Sequence, residues 1–343
     1  MAKYKGEKDY QHGSQEKIGI LITNLGTPDA PNTKALKVYL KEFLSDPRVI
    51  EVPKIIWQII LRIFILQTRP RKSAKSYKSI WTENGSPLLE ISRKQLNAIK
   101  SQLELQNKNI VIELGMRYGN PSIANALEVL QKKQSRKLLV LPLYPQYCGA
   151  TTGSTFDAVS SVIQKWRWVP EIRFINQYFE EKNYIKVLAN SIEKFWQSNG
   201  KPQKLIFSYH GIPKKYHLNG DPYHCYCLKT TRLVKEYLNL NDEEVLTTFQ
   251  SRFGSQEWLQ PYTDQILKEL PNKNIKEIHI ISPGFSSDCL ETLEELQVEN
   301  KNYFMEAGGK EYKYIPCLND NPLHIKFIVE LILKHIQGWN TNE

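Results

Sequence analysis

Two segments in the second half of the sequence carry reactive groups at meaningful spacings. The first is Ser208-Tyr209-His210-Gly211-Ile212-Pro213. His210 leaves a β-type run straight into Gly211, with Pro213 two residues beyond. An imidazole held at a strand end by a turn titrates near neutral pH and can serve as base or metal ligand. The plainer alternative is a turn histidine bonded to a backbone carbonyl. The second segment runs from Ser282 to Glu295 (SPGFSSDCLETLEE), where Ser286 or Ser287 suits the N-cap of a helix. Asp288, Glu291, Glu295 and Glu299 follow at spacings that put their carboxylates on one helical face. The helix dipole accounts for acids in a first turn but not for a stripe that continues beyond it. Stacked carboxylates repel one another, so such a stripe calls for a cation or a proton. The chemistry on offer is proton transfer and transient binding of a divalent cation.

Basic and flat apolar residues supply a second theme. Arg69, Arg71, Lys72 and Arg117 are, singly, solvated charges; Leu25, Tyr77, Trp81, Met116, Tyr118, Trp258 and Phe285 are, singly, core residues. Together they would make a wide apolar slot ringed by arginines, with a histidine facing carboxylates. That suits a flat, dianionic ligand. His224 with Cys225-x-Cys227 misses the standard zinc spacings. The cysteines at 148, 225, 227, 289 and 317 are odd in number and scattered, which fits a reducing, cytoplasmic compartment.

Short β-branched runs alternate with amphipathic stretches and must position these groups. Strands are expected at Ile18–Asn24, Ile110–Leu114, Leu138–Leu143, Ile172–Ile175, Lys204–Ser208, Val245–Phe249, Ile278–Ile281 and Tyr312–Ile315. Helices are expected around 33–45, 52–66, 88–104, 122–133, 154–167, 182–198, 228–239, 258–269, 288–302 and 322–337. Such alternation implies an α/β protein with parallel sheets covered on both faces. The strands divide four and four, and Gly200 and Pro202 mark a break. This predicts an N-terminal domain over 17–198, a second over 199–320 and a final helix, 321–338, free to return to the first. Motif residues cluster after strand ends, where open α/β sheets bind ligands, so a cleft between two such edges is the expected site.

The charge of +10 admits nucleic acid, anionic lipid or an acidic small molecule. No basic stripe interleaved with aromatics and no zinc-finger spacing is present, which argues against nucleic acid. The first sixteen residues hold no apolar run, so no secretory leader is expected. The segment 55–66 is apolar nearly all round, is too short to span a bilayer and carries Arg62. It reads either as a buried helix or as a lip at a membrane interface backed by Arg69, Arg71 and Lys72.

The motifs, taken in order, resemble those of the ferrochelatases from about Lys17 to Trp339. They are NLGTP (24–28), ENGSPL (83–88), MRYGNP (116–121), LYPQYCGATTGST (143–155), SYHGIP (208–213), GDPY (220–223), TTFQSRFG (247–254), SPGFSSDCLETLEEL (282–296) and LNDNP (318–322). The resemblance implies two Rossmann-like domains, each a four-stranded parallel sheet flanked by helices, with an active-site lip at about 52–82. It implies insertion of Fe²⁺ into protoporphyrin IX, the haem-forming step of porphyrin biosynthesis, by a lyase. It implies His210 as base or iron ligand and Glu291 as its carboxylate partner, with Asp288 and Glu295 on a proton or metal path. Leu25, Met116, Arg117, Tyr118, Trp258 and Phe285 correspond to slot walls, and Arg69, Tyr77 and Ser86 to the propionate region. Porphyrin and ferrous iron are then substrates, no cofactor is resident and no iron–sulfur cluster is expected, since no local cysteine trio exists. Localisation is expected in the cytoplasm, with peripheral contact at the inner face of the membrane. Many members have histidine where this chain has Cys289, which removes one potential ligand. Two rivals share the pattern: a cobalt or nickel chelatase of another tetrapyrrole, and a non-catalytic haem carrier.

Overall fold

Runs such as Ile18-Gly19-Ile20-Leu21-Ile22 have no polar face, and a strand of that kind is stable only when both sides are covered. The computed structural model describes residues 4–7, 10–106 and 109–339. Among them, β1 (Lys17–Thr27), β2 (Ile110–Gly119), β3 (Ser135–Pro142) and β4 (Glu171–Phe174) form a parallel sheet in the order β2-β1-β3-β4. β5 (Lys204–His210), β6 (Val245–Gln250), β7 (Glu277–Ile281) and β8 (Glu311–Ile315) form a second parallel sheet in the order β6-β5-β7-β8. The same topology therefore occurs twice. Each expected strand overlaps one observed strand.

The chain divides into two compact units. The first holds residues 1–143, 149–176 and 325–343; the second holds 144–148 and 177–324. In the first unit β1 is central, and Leu127, Leu130, Val159 and Trp166 close over Leu21, Leu138 and Val140. In the second, Ile206, Ile278 and Ile280 pack against Leu296, Phe304 and Tyr312. Such side chains each contribute about 1.5–3 kcal/mol on burial. At the end of β1, Gly26 has φ +104° and a Cβ there would lie 1.8 Å from the Tyr118 carbonyl oxygen. Only glycine permits that approach.

Three elements depart from the sequence expectation. The helix expected at 52–66 continues as Lys54–Ile60, a π-helical turn Leu61–Ile65, and Leu66–Ile80. The π turn interrupts the regular α-helical bonding pattern. Gln67 Nε2 donates to the Arg62 carbonyl (3.0 Å) and Thr68 Oγ1 to that of Phe64 (3.1 Å), so the helix survives the irregularity. The buried-helix reading of this segment is also corrected, because no residue of Lys54–Ile60 is buried and Ile55 is 80% exposed. The helix expected to be capped by Ser286 or Ser287 instead starts at Leu290, followed by the π-helical Glu291–Asn300 and then Lys301–Glu306. Residues 286–289 are committed elsewhere: Asn319 N donates to the Ser286 carbonyl (2.9 Å) and Asp288 N to Asn319 Oδ1 (2.8 Å). Lastly, the helix expected from 258 begins at Thr263, leaving Trp258 in a loop bridged to Pro213.

Candidate active site

In the second unit the reactive groups gather at the carboxyl ends of β5 and β6. His210 is the last residue of β5 and is half-buried. Its Nδ1 lies 2.7 Å from the Gly211 carbonyl oxygen. Donation from Nδ1 fixes the neutral tautomer and leaves the Nε2 lone pair free. Gly211 N donates to the Gln250 carbonyl (2.8 Å), and a Cβ at 211 would meet that oxygen at 2.9 Å and the Trp258 ring at 3.2 Å. The glycine after the histidine is thus required by close packing. Trp258 is 4% exposed with its Nε1 donating to the Phe253 carbonyl (2.9 Å), while the Phe285 ring stands 6.5 Å from the imidazole.

His210 pairs in register with Gln250 of β6. The Gln250 side chain accepts from Ser208 Oγ (2.7 Å) and donates through Nε2 to the Glu291 carbonyl (2.9 Å) and to Glu295 Oε2 (3.3 Å). The next residue, Ser251, has φ +65°. Its N–H donates to Glu295 Oε1 at 2.8 Å, and its hydroxyl donates to Oε2. Burial pushes the Glu295 carboxyl up to about 7, the Ser251 hydrogen bond opposes this, and the neighbouring Glu291 charge adds to it. This group exchanges a proton near neutral pH.

Asp288 is differently placed. It is 5% exposed, and its carboxylate accepts from Tyr314 OH (2.6 Å), Asn319 Nδ2 (2.7 Å), Thr292 Oγ1 (3.0 Å) and Cys317 N (3.4 Å). A carboxylate with that many donors is held in one orientation. Cys289 is 3% exposed, and burial, followed by the Glu291 charge, pushes its thiol well above the ordinary range. At the cysteine pair, Cys225 is exposed and Cys227 buried, and the His224 ring contacts that of His217 at 4.9 Å. Among the described residues no three His, Cys, Asp or Glu side chains converge as a metal site.

The first unit places its candidates by the ends of β1 and β2. Leu25 is half-buried at the end of β1, and its N–H donates to Asn24 Oδ1 (2.9 Å). Ser86 is buried and accepts from Thr27 Oγ1 (2.8 Å). Tyr77 is 8% exposed, edge-on to Tyr39 and Trp81, and Arg69 is exposed on the same helix. Met116 and Tyr118 are wholly buried. Arg117 is paired with Asp46 and donates from Nε to the Ser154 carbonyl (3.0 Å) and Oγ (2.6 Å). Tyr118 OH (2.8 Å) and Ser154 Oγ (2.6 Å) also donate to Asp46 Oδ2. Gln250, Ser251 and Asn319 are the functional candidates that sequence reasoning passed over. They lie in the QSRFG and LNDNP motifs, which were visible, but an amide or hydroxyl shows no role until its partner is known.

A family model for Ferrochelatase matches residues 17–336. The chain is 54% identical over 342 residues to the Ferrochelatase of Idiomarina loihiensis, covering 99% of this chain and 94% of that one. It is 53% identical over 341 residues to the Ferrochelatase of Marinobacter nauticus, covering 99% and 92%. Among solved structures, SirB from Bacillus subtilis with Fe³⁺ superposes with a TM-score of 0.58 at 11% identity, covering 95% of this chain and 100% of that one. The sirohydrochlorin chelatase SirB from Bacillus subtilis subspecies spizizenii in complex with cobalt gives a TM-score of 0.54 at 10% identity. At those identities the solved structures speak to the fold, a pair of four-stranded parallel sheets flanked by helices.

Proposed function

The chain belongs to the ferrochelatase family, and on that premise we propose how its own residues carry the reaction. It is a porphyrin metal chelatase that inserts Fe²⁺ into protoporphyrin, forming haem and releasing two protons. Two N–H bonds of the macrocycle break, two Fe–N bonds form in their place, and two further nitrogens donate lone pairs to the metal. The observation that carries the residue assignment is the fixed tautomer of His210. With Nδ1 donating to the Gly211 carbonyl at 2.7 Å, Nε2 is free to accept a pyrrole proton or to hold iron in transit. Glu291 is assigned as the carboxylate partner, since Fe²⁺ accepts imidazole and carboxylate ligands. Glu295, poised at about 7, takes protons onward, and the fully bonded Asp288 fixes the loop at the head of the π-helical segment.

For the porphyrin, Leu25, Arg69 and Phe285 keep accessible surface and are assigned direct contact. Tyr77, Ser86, Met116, Tyr118 and Trp258 are buried and would support the walls from behind, while Arg117 is locked by Asp46 at the end of β2. No resident cofactor forms part of this reading. No helix among the described residues is long and apolar enough to cross a membrane. Ile55, Ile56, Ile59, Ile63 and Phe64 are nonetheless all more than half exposed. We assign a cytoplasmic protein that touches the membrane peripherally through this apolar lip, with Arg62, Arg71 and Lys72 against anionic lipid. The test of the activity is anaerobic. Purified protein with Fe²⁺ should quench protoporphyrin IX fluorescence catalytically, and E291Q should slow this at least 100-fold. Parental rates in E291Q would overturn the assignment of Glu291.

A further inference from the structure

Ser251 stands out because it combines an uncommon backbone with an unusual set of bonds. A φ of +65° costs a residue with a Cβ on the order of 1 kcal/mol, and such strain persists only where surroundings impose it. Here the conformation turns both donors of Ser251, N–H and hydroxyl, onto the two oxygens of one carboxylate, that of Glu295. The preceding Gln250 is the register partner of His210, and its amide bridges the Glu291 carbonyl and Glu295 Oε2. The end of β6 is therefore a bracket connecting the strand of His210 to Glu291 and Glu295 of the π-helical segment.

We propose that Ser251 is a positioning residue for metalation, whose strained backbone and hydroxyl hold the Glu295 carboxylate in the orientation and ionisation state that let it accept protons. This rests on the reading of Glu295 as a proton acceptor. The hydroxyl acts by favouring the anion: a donor to a carboxylate stabilises its charged form. It opposes burial, the larger effect, and the charge of Glu291 on the same helix. The charge of Glu295 also reaches Tyr312 of β8 and Tyr303, which itself faces Glu299 and Asp264. The tyrosines are neutral across the working range, with burial holding Tyr312 well above its usual value and Glu299 raising Tyr303 to about 12.

S251G is the informative variant. It deletes the hydroxyl, keeps the N–H and suits positive φ, and the relief of backbone strain offsets the lost hydrogen bond enough for the fold to be kept. Rates of anaerobic Fe²⁺ insertion would be measured from pH 5.5 to 9 in the parent, S251G, E295Q and the double variant. The inference expects the acid limb of kcat to move upward by about 0.5–1 pH unit in S251G. KM for porphyrin should stay unchanged, and S251G should have no further effect once E295Q is present. A parental S251G profile alongside an altered E295Q profile overturns the role of Ser251 alone. A parental E295Q profile overturns the reading of Glu295 and the inference with it.

Discussion

In the proposed reaction His210 and Glu295 would divide the proton handling between an imidazole with one nitrogen committed and a carboxyl held near neutrality. The second has a thermodynamic signature. Its folded-state value stands above the unfolded one, so the folded protein keeps a proton that the unfolded chain releases. Stability must then fall as pH rises from about 4.5 towards about 7 through this group. E295Q cannot ionise and should flatten that part of the curve, gaining on the order of 1–2 kcal/mol relative to the parent above pH 7. Urea denaturation at pH 5, 6 and 7.5 measures it, and parallel curves for the two proteins would count against a buried, proton-holding Glu295. Asp46 gives a contrasting case. It accepts from Arg117, Tyr118 and Ser154, so D46A strands a largely buried guanidinium and should cost about 3 kcal/mol in the same experiment.

At the scale of elements, strands were the most legible feature, because a run such as Leu138–Leu141 has no face that tolerates water and must enter a covered sheet. Helix ends were less legible. The start at Leu290 depends on Asn319, which lies 31 residues beyond Asp288 in the chain, capturing Asp288 and Ser286. No local cap rule contains that information. His210 and the acidic stripe were visible from residue type and spacing, yet the bracket of Gln250 and Ser251 was not, because it exists only through strand pairing. The lip was half-legible: its apolar composition was plain, while its exposure depends on what the fold leaves uncovered. Ile55 and Ile59 are 80% and 53% exposed, so I55E/I59E should change folding stability by less than about 1 kcal/mol. The same pair should weaken binding to anionic lipid vesicles at least 10-fold in co-sedimentation. Undiminished vesicle binding would remove the lip from the membrane contact.

The whole molecule repeats one strand order in two units, and the reactive groups with titrating side chains belong to the second. Its stability in acid should be governed by two histidines that the chemistry does not use. His279 and His324 are each 1% exposed, and burial lowers both to about 4. Their folded-state values lie below the unfolded one, so the stability they contribute is present above pH 6.5 and lost as pH falls towards 4. The loss should be about 2 kcal/mol each between pH 7 and pH 5, and H279F together with H324L should shallow the acid limb of the unfolding curve. The central claim, that this family member metalates porphyrin through His210, is tested most directly by following H210A anaerobically. One titration measures protoporphyrin IX binding by fluorescence; one single-turnover mix measures Fe²⁺ insertion. The account predicts porphyrin affinity within about 3-fold of the parent and insertion slowed by 100-fold or more. Insertion at the parental rate by H210A would contradict it.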